Sequence, residues 1–137
     1  MYTSEVIYQG QLRTIATHLQ SGNIILTDAP KDNQGNGEFF SPTDLVATAL
    51  GACMLTIMGI EAKKSDINII GSTVKVIKKM GINPRRIIKL IVELTVTDYG
   101  LSEAQKAMLE NAALNCPVAK SIHPDIEQDI TFNYVTA

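Results

Sequence analysis

SPTDLVATALGACMLTIMGI, residues 41–60, is the stretch on which the fold turns. Ser41 has the side-chain oxygen of a good N-cap, and Pro42 suits the first helical position, where its missing N–H costs nothing. Asp44 can reach back to the cap in the manner of a capping box. A helix therefore starts here. From Leu45 to Ile60 no charged side chain occurs. That run is shorter than the ~20 residues of a membrane span and too uniformly apolar for a helix with one wet face. Such a helix is expected to be enclosed by sheet or by a second subunit. Ala47, Ala49, Gly51, Ala52 and Gly59 keep its surface thin, so another backbone can approach. Lys63 and Lys64 suit its carbonyl end. Cys53 stands in the middle. On pattern alone it reads as a small apolar core residue, because free cysteines are among the most buried side chains.

Outward from this helix, SEVIY, RTIATHL and NIILTD are short β-prone segments separated by QGQ and QSG, the turn signals of a three-stranded antiparallel meander. APKDNQGNGEFF then gathers Pro, Asp, Asn and Gly into a loop. After the helix, INIIGSTVKVIKKM and RRIIKLIVELTVTD flank the turn GINP and predict a long hairpin. In the second arm Ile88, Leu90, Val92, Leu94 and Val96 occupy alternate positions, the signature of a half-buried strand. LSEAQKAMLENAAL has helical spacing through Leu101, Ala104, Met108, Ala112 and Ala113, with Ser102 as cap. In NCPVAKSIHP, Pro117 opens a short helix and Pro124 closes it. DITFNYV supplies a last strand. The order βββαββααβ groups strands in blocks, which predicts an α+β fold with antiparallel sheets around a buried central helix.

At 137 residues the chain is long enough for one substantial core, so a single domain over 1–137 is expected. Twelve Lys and Arg face 14 Asp and Glu, a net charge of −2, with 5% aromatic residues and no basic block. Neither a nucleic-acid nor a membrane surface is expected from that balance; small molecules or proteins are the expected partners. MYTSEVIYQG has no basic stretch followed by an apolar one, so a cytoplasmic location is expected. Two widely spaced cysteines in a reducing compartment argue against a structural disulfide framework. With only His18 and His123 beside them, and no C-x-x-C or H-E-x-x-H spacing, no metal site is expected. Cys116 precedes Pro117 at the expected N-cap of the short helix, where free backbone N–H groups and the dipole favour a thiolate.

SPTDLVATALGACM on the first long helix, followed much later by NCPVAKSIHP, resembles the OsmC/Ohr family of osmotically inducible and organic-hydroperoxide-resistance proteins, in its OsmC-like branch. The resemblance extends over nearly the whole chain, including strand and helix order. It implies an intertwined homodimer with each active site at the subunit interface. Carried over by position, it makes Cys53 the peroxidatic thiol and Cys116 the resolving thiol of a thiol-dependent peroxidase acting in oxidative stress defence. The implied reaction has the Cys53 thiolate attack an organic hydroperoxide and become a sulfenic acid. Cys116 then closes a Cys53–Cys116 disulfide, which an external dithiol reductant, such as a lipoylated protein, reopens. No metal, flavin or nucleotide cofactor is implied.

The pattern departs from the family at one point. Peroxidases of this type hold the thiolate with an arginine from the N-terminal strands, and hold that arginine with a glutamate ten residues ahead of the first cysteine. Here that position is Thr43, whose hydroxyl lacks a carboxylate's two-point grip on guanidinium. Asp44 is adjacent, but one helical step turns it by ~100°, and capping is its expected task. Arg13 is the only arginine ahead of the helix and is the candidate for the thiolate's partner. The rival expectation is a non-catalytic dimeric protein that keeps the fold and binds a small apolar ligand or a partner at the interface cleft. Retention of both cysteines favours the peroxidase; Thr43 favours the rival. His123 is expected at the carbonyl end of the short helix, and His18 on a strand without a partner.

Overall fold

The computed structural model describes residues 1–137, and the chain divides into two compact units, Met1–Val46 and Ala47–Ala137. The first holds β1 (Ser4–Gly10), β2 (Arg13–His18) and β3 (Ile24–Asp28), an antiparallel meander in the order β1-β2-β3. The register places Ile7 opposite Ile15 and Ile15 opposite Leu26 on one face, with Val6 opposite Ala16 and Ala16 opposite Ile25 on the other. Residues 29–40 form the expected loop, with a single 3-10 turn at Lys31–Asn33. Gly35 has no substitute there, because a Cβ would lie 1.7 Å from the Ala29 carbonyl oxygen.

Helix α1 (Pro42–Lys64) begins as the sequence predicts. The Asp44 N–H donates to Ser41 Oγ at 3.1 Å, and the Ser41 N–H donates to Asp44 Oδ2 at 2.9 Å, so the capping box is complete. The helix runs 23 residues, longer than its uncharged stretch, and by length and composition alone it is a candidate membrane span. Within the second unit, Ala47, Leu50, Gly51, Met54, Met58 and Ala62 are its buried residues. Ala49, Ala52, Thr56 and Ile60 are exposed, so the helix is covered within this chain on one side rather than all round.

The second unit also contains β4 (Thr73–Gly81), β5 (Arg86–Asp98), α2 (Glu103–Leu114), α3 (Pro117–Ser121) and β6 (Glu127–Thr136). Leu90, Val92, Leu94 and Val96 of β5 are fully buried, together with Leu50, Met54 and Met58 of α1 and Leu109 and Ala113 of α2. Helix and sheet meet closely where Gly51 stands against β4. A Cβ there would come within 3.1 Å of methyls on both Val74 and Val76.

The structure corrects four details. First, β6 pairs with β5 in parallel, from Lys89 opposite Glu127 to Asp98 opposite Thr136, so the second sheet is mixed rather than antiparallel. The reason is the connection: two helices between β5 and β6 form a crossover, which returns the chain to run the same way. Second, residues 67–72 are not strand. Asn68 Oδ1 takes the Ile70 N–H at 2.8 Å and the Ile69 carbonyl takes the Ser72 N–H at 3.1 Å, so local turns claim the backbone. Third, Ile88 is exposed although it follows the alternation, because a bulge between Lys79 and Met80 pairs Met80 with Ile87. Fourth, on α2 Leu109 is fully buried together with the expected Ala113, and Ala104 faces solvent.

Candidate functional site

Cys116 is set at a junction of two helices. Its N–H donates to the Ala113 carbonyl at the end of α2, and its Sγ caps α3 by accepting the Ala119 N–H at 3.4 Å. Pro117 follows as the first helical residue, as the sequence predicts. The side chain is fully buried. Burial pushes its thiol above the ordinary value, and the neighbouring Cys53 sulfur pushes it further; the Ala119 and Val118 N–H groups pull the other way without prevailing. The sequence reading of a dipole-favoured thiolate is therefore corrected: desolvation outweighs the helix terminus.

Cys53 lies on α1 at the margin of the buried face, partly exposed and packed against the core. Both cysteines are free, and Cys53 is near enough to Cys116 to help raise its thiol. The fold thus joins two thiols that the sequence separates by a helix, a hairpin and a second helix.

Arg13 belongs to a different cluster, in the first unit. It is directly opposite Asp28 in the β2–β3 register. Its Nε donates to Asp28 Oδ1 at 2.7 Å and its Nη2 to Asp28 Oδ2 at 2.8 Å, a two-point ion pair with a buried carboxylate. Glu38, largely exposed, approaches Nη2 at 3.4 Å, and the Phe39 ring lies 4.8 Å from the guanidinium carbon. The Glu38 N–H also donates to Asp28 Oδ2 at 3.1 Å. Hydrogen bonding to Arg13 holds the Asp28 carboxyl below its ordinary value, and the same pair raises the guanidinium.

Sequence reasoning missed Asp28 and Glu38. The available signal was the meander itself, since antiparallel pairing about QSG brings the end of β3 back to the start of β2. Thr43 Oγ1 lies 3.2 Å from Ser41 Oγ, and Asp44 is engaged in the capping box as expected. His18 does have a partner, Ser21 Oγ at 2.6 Å from Nδ1. His123 lies beyond the end of α3, and its Nδ1 accepts the Asp125 N–H at 3.0 Å. No group of three or more His, Cys, Asp and Glu side chains is arranged to hold a metal ion.

A family model described as OsmC-like protein matches residues 35–131. Among solved structures, a Psychrobacter arcticus 273-4 protein named for osmotic stress induction and detoxification response is 53% identical. The match covers 97% of this chain and 96% of that one, with a TM-score of 0.92. An OsmC like protein from Mycoplasma pneumoniae shares the fold at 17% identity, with 98% and 97% of the two chains covered and a TM-score of 0.81. An organic hydroperoxide resistance protein OsmC from Legionella pneumophila does so at 16% identity, with 97% and 98% covered and a TM-score of 0.75. The comparison with curated proteins finds no match. A family match over most of the chain, together with a close relative along its whole length, places this protein in the OsmC-like family.

Proposed function

We propose that the protein is a cytoplasmic, thiol-dependent peroxidase of organic hydroperoxides, with Cys53 as attacking thiol, Cys116 as resolving thiol and Arg13 as the cation that steadies the thiolate. The observation that carries this reading is the asymmetry of the thiol pair, one sulfur reachable and the other sealed beside it. A hydroperoxide meets Cys53 first. Its thiolate attacks the O–O bond, which breaks; the alcohol leaves with a proton, and Cys53 becomes a sulfenic acid. Cys116, which keeps its proton because it is buried, then attacks that sulfur. The S–O bond breaks, the thiol proton leaves with the hydroxyl as water, and a disulfide forms. An external dithiol such as a lipoylated protein returns both thiols and is itself oxidised. The reaction needs no metal or organic cofactor.

The working form in this reading is a homodimer. Every buried hydrophobic residue lies from Ala47 onward, whereas the meander leaves Val6, Tyr8 and Ile25 on one face and Ile7 and Ile24 on the other at least half exposed. Apolar side chains on both faces of a three-stranded sheet call for a covering partner, and a second copy supplies one.

The direct test treats reduced protein with one equivalent of t-butyl hydroperoxide and analyses it by mass spectrometry. Loss of two hydrogens with a Cys53–Cys116 linkage is expected; two untouched sulfurs would overturn the reading. Beside Thr43, the rival binding function is favoured by an open apolar cavity of about 510 Å³ lined by Leu55, Gly59, Ala62, Ile67 and Ile69 among others, with Cys53 outside its lining. Inert thiols together with saturable uptake of a fatty acid or similar apolar ligand would favour that function instead.

A further inference from the structure

We propose that Asp28 is the positioning residue for Arg13 in the reaction, so that in this chain the carboxylate controlling the arginine comes from strand β3 and not from the start of helix α1. The inference rests on the peroxidase reading above.

A guanidinium on a strand can swing about its side-chain torsions unless it is gripped at two points in its own plane. Asp28 provides both points, at 2.7 and 2.8 Å, from a side chain that is only 2% exposed. The carboxylate is itself fixed, because Oδ2 also takes the Glu38 N–H and the Asp28 N–H donates to the Phe40 carbonyl at 3.2 Å. The Phe39 ring, 4.8 Å from the guanidinium carbon, restricts movement out of the plane. Asp28 and Glu38 both use the Nε and Nη2 side, which leaves the Nη1 donors uncommitted within the chain. An arginine held along one edge and free at the other presents a directed pair of donors to an anion. Glu38, 61% exposed and 3.4 Å away, adds a weaker, solvent-screened contact to the same nitrogen. The two residues near the helix start have other engagements: Asp44 closes the capping box, and Thr43 has no charge to offer.

The chain contains three arginines, so the Nε–H region of its proton–nitrogen NMR spectrum is simple enough to follow Arg13. A slowly exchanging Arg13 Nε–H signal is expected in the unmodified protein, lost in Asp28→Asn and retained in Asp44→Asn and Glu38→Gln. In parallel, Asp28→Asn is expected to slow oxidation of Cys53 by t-butyl hydroperoxide by about 10- to 100-fold, the scale of loss that follows from misplacing an otherwise intact group. The pH profile of Cys53 alkylation is expected to move to higher pH. Should Asp28→Asn fail to fold, Arg13→Lys, which keeps the charge and loses the two-point grip, is expected to show the same slowing and the same shifted profile. An unchanged Arg13 signal in Asp28→Asn, or an unchanged rate and profile in a variant whose signal is lost, overturns the proposal. If the unmodified protein does not react with peroxide at all, the peroxidase reading fails, and the role of Asp28 in that reaction fails with it. The NMR comparison still decides whether Asp28 holds Arg13, which separates the two failures.

Discussion

Cys116, sealed at the start of α3, is the neighbour of Cys53, partly exposed on α1, and the Cys53 sulfur adds to the burial that holds the Cys116 thiol protonated. In the proposed reaction their unequal access would set the order of events, because the accessible sulfur meets a hydroperoxide first.

Cys116→Ser is therefore expected to react once with peroxide and stop at a Cys53 sulfenic acid that dimedone traps, advancing to sulfinic acid in excess oxidant. Cys53→Ser is expected to consume no peroxide and to leave Cys116 unmodified in the folded protein. A dimedone adduct on Cys116 in Cys53→Ser, read by peptide mass spectrometry, would contradict the assignment.

Burial of Cys116 also leaves a mark on stability at alkaline pH. Its thiol is raised in the folded protein, so as pH climbs past the ordinary value of 9.0 the unfolded chain releases a proton that the native state still holds. Its contribution is fully present below that value and is lost as pH rises toward the raised native one. Denaturant midpoints should fall over that interval, and Cys116→Ala should flatten the fall. Equal slopes in the two proteins would show that Cys116 ionises as freely when folded.

Packing makes a third expectation. Gly51 has van der Waals room for a hydrogen and little more, with methyls of Val74 and Val76 at 3.1 Å from a built Cβ. Gly51→Leu should cost about 1–3 kcal/mol or more through forced displacement of β4. Leu109→Ala, which empties a fully buried position, should cost about 2–5 kcal/mol. Urea unfolding of both variants checks the pair; a Gly51→Leu protein as stable as the parent would mean that α1 and β4 are not in close contact.

Association is the fourth. Sedimentation of the unmodified protein should give twice the chain mass, and Ile7→Asp, placing a charge on an apolar sheet face, should shift it toward the single chain. A single-chain mass for the parent protein would remove the homodimer from the proposed function.

Much of the architecture is legible in short stretches of the sequence. Ser41, Pro42 and Asp44 announce the start of α1 through contacts that span three residues, and the Leu90-to-Val96 alternation announces β5 through a period of two. Ser102 does the same for α2, with its capping box to Gln105. Each signal is complete within one turn or one strand, so no knowledge of distant neighbours is needed. Ile88 shows the limit: it obeys the alternation, yet a bulge set by its pairing with β4 turns it to solvent.

The candidate site divides along the same line. Local position singles out Cys116, whose N-cap role follows from the proline behind it, whereas Cys53 and Arg13 stand out only through the resemblance to the family. Only the tertiary structure decides that Cys116 is desolvated enough to resist ionisation, that β6 runs parallel to β5, and that Asp28 is the carboxylate gripping Arg13. Caps and periodicities are short-range, settled by the backbone hydrogen bonds of neighbouring residues. Burial, strand direction and charge pairing depend on which remote segments are folded against a residue, and no local stretch of sequence carries that information.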